Sequence, residues 1–320
     1  MNEVFSTTTI LVSVLIGAGG AVLALIVRLA KGDGAQSLWR MLETFLTGAL
    51  GAFVARAFVY LMISAGGHSH TAVTLTSLFF LIWPGLVNVV AHLITGHPLI
   101  GEAGVLWVAL VVGGLVGVMD GLWATHRWLG IGPVAFLLDI TWGLGGSTNG
   151  LLLHVYDTVA GKHADGPNQT RHESHRYEGG FRIKADYIFT QGAVMSNATQ
   201  APPGSPLFKH ETLHTWQNRI LGPFYWMSYV AWMIVTFIPA LIVGAATGKA
   251  GDVIQWWTYY NNTWEVMAYG VADPHDRDGW PPSRVTGWMC WPWALVVTVN
   301  ALATVGFGAL FVLAFASAYG

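Results

Sequence analysis

What this 320-residue chain has little of narrows its class. Asp, Glu, Lys and Arg make up only 10% of it, against roughly 25% in ordinary soluble domains, and so few charges cannot solvate a globular surface. A soluble enzyme, a disordered tail and a coiled coil are excluded. Positive charge is not in excess either, since 15 basic side chains face 17 acidic ones. The electrostatic footprint of nucleic-acid binding is therefore missing, and no nucleic-acid partner is expected. One cysteine, Cys290, excludes an intrachain disulfide and a multi-thiolate metal centre; it reads as a packed thiol. No Lys or Arg precedes the first apolar run, which thus lacks the basic start of a cleaved signal peptide and reads as a permanent span.

What is present points to a membrane. The chain is 53% hydrophobic with 39 glycines and 16 tryptophans and a mean hydropathy of +0.51, a composition suited to spans that pack through small residues and end in aromatic anchors. A span needs about 20 mostly apolar residues, and the runs 8–30, 41–64, 72–94, 103–125, 223–247 and 291–318 qualify. A seventh run, 133–153, passes through Gly145-Gly-Ser-Thr-Asn-Gly150, whose backbone groups need protein partners at membrane depth; it is either a poor span or a re-entrant segment. The expected fold is an all-α polytopic membrane protein with six or seven transmembrane helices and a small α+β polar insert. It divides into an N-terminal bundle (1–153), the polar insert (154–222) and C-terminal membrane helices (223–320) with a second insert at 248–289. If 133–153 spans, Arg28, Lys31 and Arg40 share a side with the seven basic residues of 154–222, ten against four. If it does not, the two sides hold six and eight; the bias favours seven spans, the N-terminus outside and the polar insert in the cytoplasm, with a bacterial plasma membrane as the expected location.

The insert holds six of the twelve histidines. Within it, GGFRIKADYIFTQGAVMSNA has β-branched and aromatic residues around Gly192 and is followed by the breakers QAPPGSP, so strands and then a turn are expected. From Leu207, with Pro206 in the first turn, LFKHETLHTWQNRIL reads as a helix ended by Gly222 and Pro223. That helix carries His210-Glu211-Thr212-Leu213-His214, an H-E-x-x-H. The spacing of four puts both imidazoles on one face, where they can hold two corners of a tetrahedral zinc site, with Glu211 placed as general base toward water in an open corner. The competing reading makes both histidines interfacial residues satisfied by neighbours. Glu265, the only glutamate after Glu211, lies in the helical-looking Asn261-Asn262-Thr263-Trp264-Glu265-Val266-Met267-Ala268-Tyr269 and is the candidate third ligand; its plainer role is a carboxylate at a helix start. The alternative H-E-x-x-H-x-x-G-x-x-H arrangement fails, because Gln217 and Ile220 occupy the last two fixed positions.

Together, YIFTQGAVMSNA, HETLHTWQ and NNTWEVMAY resemble the gluzincin metallopeptidase arrangement over residues 180–270, in which an edge strand aligns substrate, a helix gives two His and the base, and a later helix gives Glu. The chain is also similar to actinobacterial-type polytopic membrane proteins with an H-E-x-x-H-x-W-Q core, a likeness that implies no substrate. The gluzincin resemblance implies Zn2+ held by His210, His214 and Glu265, with Glu211 as base. Gln217, one turn along the histidine face, either orients a ligand or is ordinary helix polarity. Tyr269 can hydrogen-bond a tetrahedral oxyanion, although an interfacial tyrosine is the favoured explanation.

Other features weigh less. His172, Glu173 and His175 form H-E-x-H, one residue short of the helical zinc spacing; solvated loop histidines are the default, and an auxiliary metal or pH-sensing cluster is the alternative. Arg56, Asp120 and Asp139 lie in apolar runs, where pairing of Arg56 with one of the aspartates is preferred to an ion path. Gly113, Gly117 and Gly121 suggest close helix packing, inside the chain or between copies. The functional expectation is a membrane zinc metallohydrolase, foremost a peptidase, with lipid around it, a peptide or protein substrate, and oligomer or membrane-complex partners open. The rival is a scaffold, assembly subunit or transporter with a structural zinc site, which a fourth protein ligand such as His275 or His175 would favour.

Overall fold

Away from water a backbone must satisfy its own hydrogen bonds, so apolar runs become helices. The computed structural model, which describes residues 6–32, 34–164, 173–183, 187–272 and 293–320, opens with α1 (Thr7–Ala30) and α2 (Gly34–Ala65). They run antiparallel and close together: a Cβ on Gly17 would lie 2.5 Å from the Phe45 carbonyl oxygen.

The run 72–94, expected as one span, is two helices folded back on each other, α3 (His70–Leu81) and α4 (Trp83–Thr95). The break is at Ile82, whose φ is +50°, with Pro84 in the first turn of α4. Gly85 then lies against Leu78, where a Cβ would be 2.1 Å from the Leu78 Cα. Asn88 donates to Ser77 Oγ at 3.1 Å and His92 Nδ1 is 3.4 Å from Thr74 Oγ1. Both ends of this hairpin emerge together, His70 and His97 placing Nδ1 atoms 2.8 Å apart. Hydropathy summed over a window cannot see a proline-started second helix whose neighbours are equally apolar.

Helix α5 (Glu102–Trp123) packs antiparallel on α2 through the glycines marked in the sequence. Cβ atoms on Gly113 and Gly117 would lie 2.4 Å and 2.1 Å from the carbonyl oxygens of Gly51 and Thr47. The glycine row therefore serves packing within the chain. Since lipid is as apolar as the side chains it would replace, this close backbone contact supplies association that hydrophobic transfer does not.

The proposed seventh span, 133–153, is instead α6 (Gly132–Asp139), a turn, and α7 (Leu144–Ala160). Its glycines are buried contact points: a Cβ on Gly146 would strike the Asn218 amide at 2.0 Å, and one on Gly150 the Gln191 carbonyl at 2.8 Å. Four short strands follow, β1 (Gly161–His163), β2 (His175–Gly179), β3 (Phe189–Gln191) and β4 (Val194–Ser196). Their order is β1-β2-β4-β3, with β2 and β4 parallel and the outer pairs antiparallel. Gly192, at φ +55°, turns the chain between β3 and β4, inside the stretch expected to be strand-like.

Helix α8 (Pro206–Leu221) starts as expected, Ser205 Oγ accepting from Phe208 N at 3.1 Å, and Gly222 breaks it before α9 (Pro223–Thr247). Then come α10 (Ala250–Gln255), a π-helical turn (Trp256–Tyr260), α11 (Thr263–Ala272) and α12 (Trp293–Tyr319). The largest apolar core joins α2, α3, α5 and α12 around Phe79, Phe80, Val59 and Leu106.

Among the described residues, five helices, α1, α2, α5, α9 and α12, are long and apolar enough to cross a membrane. Outward-facing apolar residues such as Ile234, Ile238, Ile242, Leu302 and Val305 are consistent with lipid contact. Asp139 is taken by Arg219 at 2.6 Å and Asp120 by His175 at 2.8 Å, while the Arg56 guanidinium lies 4.6 Å from the Trp107 ring centroid. Cys290, His172 and His275 lie outside the described residues.

Candidate metal centre

The H-E-x-x-H motif folds as the helix its spacing requires. On α8, His210 and His214 turn to one side and bring their Nε2 atoms to 3.1 Å. Glu265, in the first turn of α11, faces them: Oε2 is 3.2 Å from His210 Nε2 and Oε1 is 3.3 Å from His214 Nε2. Asn262 sets the start of α11, accepting from Trp264 N at 3.1 Å and donating to the Tyr229 carbonyl at 3.2 Å. Residues 51 and 55 positions apart in sequence thus meet the same point.

The three donors fit a small divalent ion. Ligands at 2.0–2.1 Å on a tetrahedral zinc are separated by about 3.3 Å; here the two Nε2 atoms are 3.1 Å apart and each meets its own oxygen of Glu265, Oε2 at 3.2 Å and Oε1 at 3.3 Å. Glu265 Oε2 is buried and makes no hydrogen bond. Among the described residues, His210, His214 and Glu265 are the one His/Cys/Asp/Glu group whose ligand atoms converge in this way. His175, considered as a fourth ligand, belongs to a different cluster.

Neighbours fix the donors. His214 Nδ1 lies 2.8 Å from Gln217 Oε1, and Gln217 Nε2 donates to the Trp264 carbonyl at 3.3 Å. An amide oxygen accepts only, so Nδ1 carries the proton and Nε2 keeps its lone pair for a metal. Of the two readings of Gln217, the orienting contact is therefore formed. Tyr229 donates to Glu265 Oε1 at 2.8 Å, and the Tyr225 hydroxyl is 3.3 Å from His214 Nδ1.

No protein-family model, curated protein or solved structure matches the chain. The chemistry of the centre has to be read from its own atoms.

Electrostatics agree with a ligand set. Burial alone would raise the Glu265 carboxyl, but the His214 and His210 imidazoles outweigh it and hold the group well below the usual carboxylate range. Burial likewise opposes charge on His214, yet Glu265 pushes it up to about 9 when no ion competes. Glu211 differs: burial raises its carboxyl above the ordinary value, which brings its basicity closer to neutrality. Its Oε1 is 4.0 Å from His210 Nε2, and Oε2 accepts from Thr190 Oγ1 at 2.6 Å. Thr190 sits on the edge strand β3, so the sheet reaches α8 through this bond.

The Tyr269 ring lies tilted against His210, centroids 4.3 Å apart, and so touches the centre. Reading the sequence missed Thr190, Tyr225 and Tyr229. Tyr225 and Tyr229 did carry a signal, an i, i+4 pair on one face of α9, but aromatics opening a span read equally well as membrane anchors.

Proposed function

We propose that the chain is a membrane-integral zinc metallohydrolase of gluzincin type, foremost a peptidase acting close to the membrane surface, with His210, His214 and Glu265 holding the ion. The observation that carries this reading is the convergence of His210 Nε2, His214 Nε2 and the two oxygens of Glu265, with contacts of 3.1, 3.2 and 3.3 Å, beside a separately placed carboxylate. Bound there, zinc would supply Lewis-acid polarisation of a carbonyl and acidify water.

The chain's own residues do the rest. Glu211, held by Thr190, takes a proton from the attacking water and returns it to the departing amine. Gln217 and Tyr229 keep one imidazole and the carboxylate aimed inward. Tyr269, against His210, serves as hydrogen-bond donor to the oxyanion that develops on the substrate. A bacterial plasma membrane with the insert in the cytoplasm is the location this reading adopts: if neither 72–94 nor 133–153 crosses, Arg28, Lys31, Arg40 and Arg127 still share a side with the seven basic residues of 154–222.

A scaffold or transporter with a structural zinc is the second reading, and burial favours it: His210, Glu211, His214 and Glu265 are only 2%, 5%, 6% and 2% exposed. A structural zinc takes four protein ligands, and three converge among the described residues. The deciding experiment compares Glu211→Gln with wild type on a peptide library, with zinc measured in both. Zinc retained and hydrolysis lost supports the hydrolase. Full activity in the variant defeats the mechanism, and zinc with no hydrolysis in wild type returns the scaffold.

A further inference from the structure

A second buried cluster lies at the other side of the polar insert, built from residues that the metal centre does not use. Glu173 Oε2 is 2.8 Å from His126 Nδ1. His126 Nε2 is 3.3 Å from Asp120 Oδ2, and Asp120 Oδ1 is 2.8 Å from His175 Nε2. His175 Nδ1 in turn is 3.1 Å from His163 Nε2. All five residues are buried. His163 lies flat on Trp123 at 4.1 Å, and His154 meets His175 edge-on at 4.2 Å with its Nδ1 3.0 Å from the Tyr177 hydroxyl.

The links cross from bundle to insert. Asp120 and Trp123 belong to α5, and His126 follows it. His163 is on β1, His175 and Tyr177 are on β2, Glu173 precedes β2, and His154 is on α7. We infer that this chain of imidazoles and carboxylates is a pH-sensitive clasp that docks the polar insert onto the end of α5 and so keeps Thr190 of β3 against Glu211.

The charges explain the sensitivity. His126 lies between two carboxylates, Asp120 and Glu173, with Asp139 of α6, itself paired with Arg219 of α8, close by. Arg127 also reaches Glu173 at 3.3 Å. Burial opposes charge on His126, but Asp120 outweighs it and pushes the imidazole up to about 9. His163 and His154 face the opposite situation. Burial first and His175 second hold both well below the ordinary imidazole range, with Lys31 and Arg28 of α1 adding repulsion at His163.

Two limbs follow from linkage. Undocking restores ordinary imidazoles, so as pH falls below 6.5, the ordinary value, the undocked insert binds protons that the docked one refuses. Above 6.5 the undocked His126 gives up its proton while the docked one keeps it until about 9, so its contribution fades across that window and is gone above it. Docking is therefore strongest near pH 6.5 and weakens on both sides. The clasp stands whether or not the metal centre is a hydrolase.

The test is hydrogen exchange, corrected for intrinsic rates, on the full chain in lipid nanodiscs from pH 5 to 8. Protection of β2, β3 and β4 is expected to fall roughly tenfold or more toward pH 5 while α1 and α2 stay unchanged. The double variant His154→Phe, His163→Phe keeps ring stacking but takes no proton, and its acid loss should largely disappear. A flat wild-type profile, or an equal acid loss in the double variant, overturns the clasp. In nitrogen NMR of the histidine-labelled protein, the His154 and His163 rings should stay neutral at pH 5.5 and the His126 ring should stay protonated at pH 8. Titration of every ring near the ordinary value would overturn the inference, as would a zinc equivalent lost in His163→Phe and kept in His214→Ala.

Discussion

The chain buries two groups of histidines and carboxylates that are alike in their parts and unlike in their connection. Each has two imidazole nitrogens 3.1 Å apart, and each has carboxylate oxygens within 3.3 Å of ring nitrogens. In the first, two imidazoles and one carboxylate close on each other as a triangle of side chains, with one ligand atom from each within 4.8 Å of the others. In the second, the contacts run in line from Glu173 through His126, Asp120 and His175 to His163, and no single point is near all five. A closed triangle holds an ion, whereas an open line distributes charge along its length. Distances between pairs do not distinguish the two; closure does.

Breaking the triangle should have the largest effect. His214→Ala and Glu265→Ala are each expected to abolish zinc binding and, because each takes one partner out of a buried charge cluster, to destabilise the fold by up to about 3–5 kcal/mol; metal content and thermal unfolding measure both. Glu211→Gln should keep its zinc and lose about 10²–10⁴ in hydrolysis, the usual contribution of a general base. Gln217→Ala and Tyr229→Phe leave the triangle intact but loosen its orientation, and zinc affinity should fall about 10–100-fold in a chelator competition. Smallest is Thr190→Ala, which removes one hydrogen bond to a charged group, worth about 1.5–3 kcal/mol; it should slow turnover at unchanged zinc content. Asp120→Asn sharpens the contrast from the other side. It cuts the line in the middle, so insert protection should drop while bound zinc stays constant.

The triangle was largely legible in the sequence because its chemistry is local. The four-residue spacing of His210 and His214, Ser205 and Pro206 at the start of α8, and Gly222 at its end each act within one helix, and Glu265 stood out as the last glutamate. Thr190 and Tyr229 were not legible, since a strand hydroxyl and a span-start tyrosine have many ordinary roles. The line was only half visible. The H-E-x-H at 172–175 was noted, but Asp120 and His126 join it from 55 and 47 positions away, across contacts that no spacing rule encodes. The hairpin at Ile82 escaped for a related reason: hydropathy reports that a segment avoids water, not that it turns back on itself.

The most direct measurement is metal content of the detergent-purified full chain, alongside His214→Ala and His163→Phe, after zinc is resupplied and excess removed. About one zinc per chain, lost in His214→Ala and retained in His163→Phe, is the result expected if closure of the triangle makes the site. No zinc in wild type, or equal loss in both variants, would contradict it.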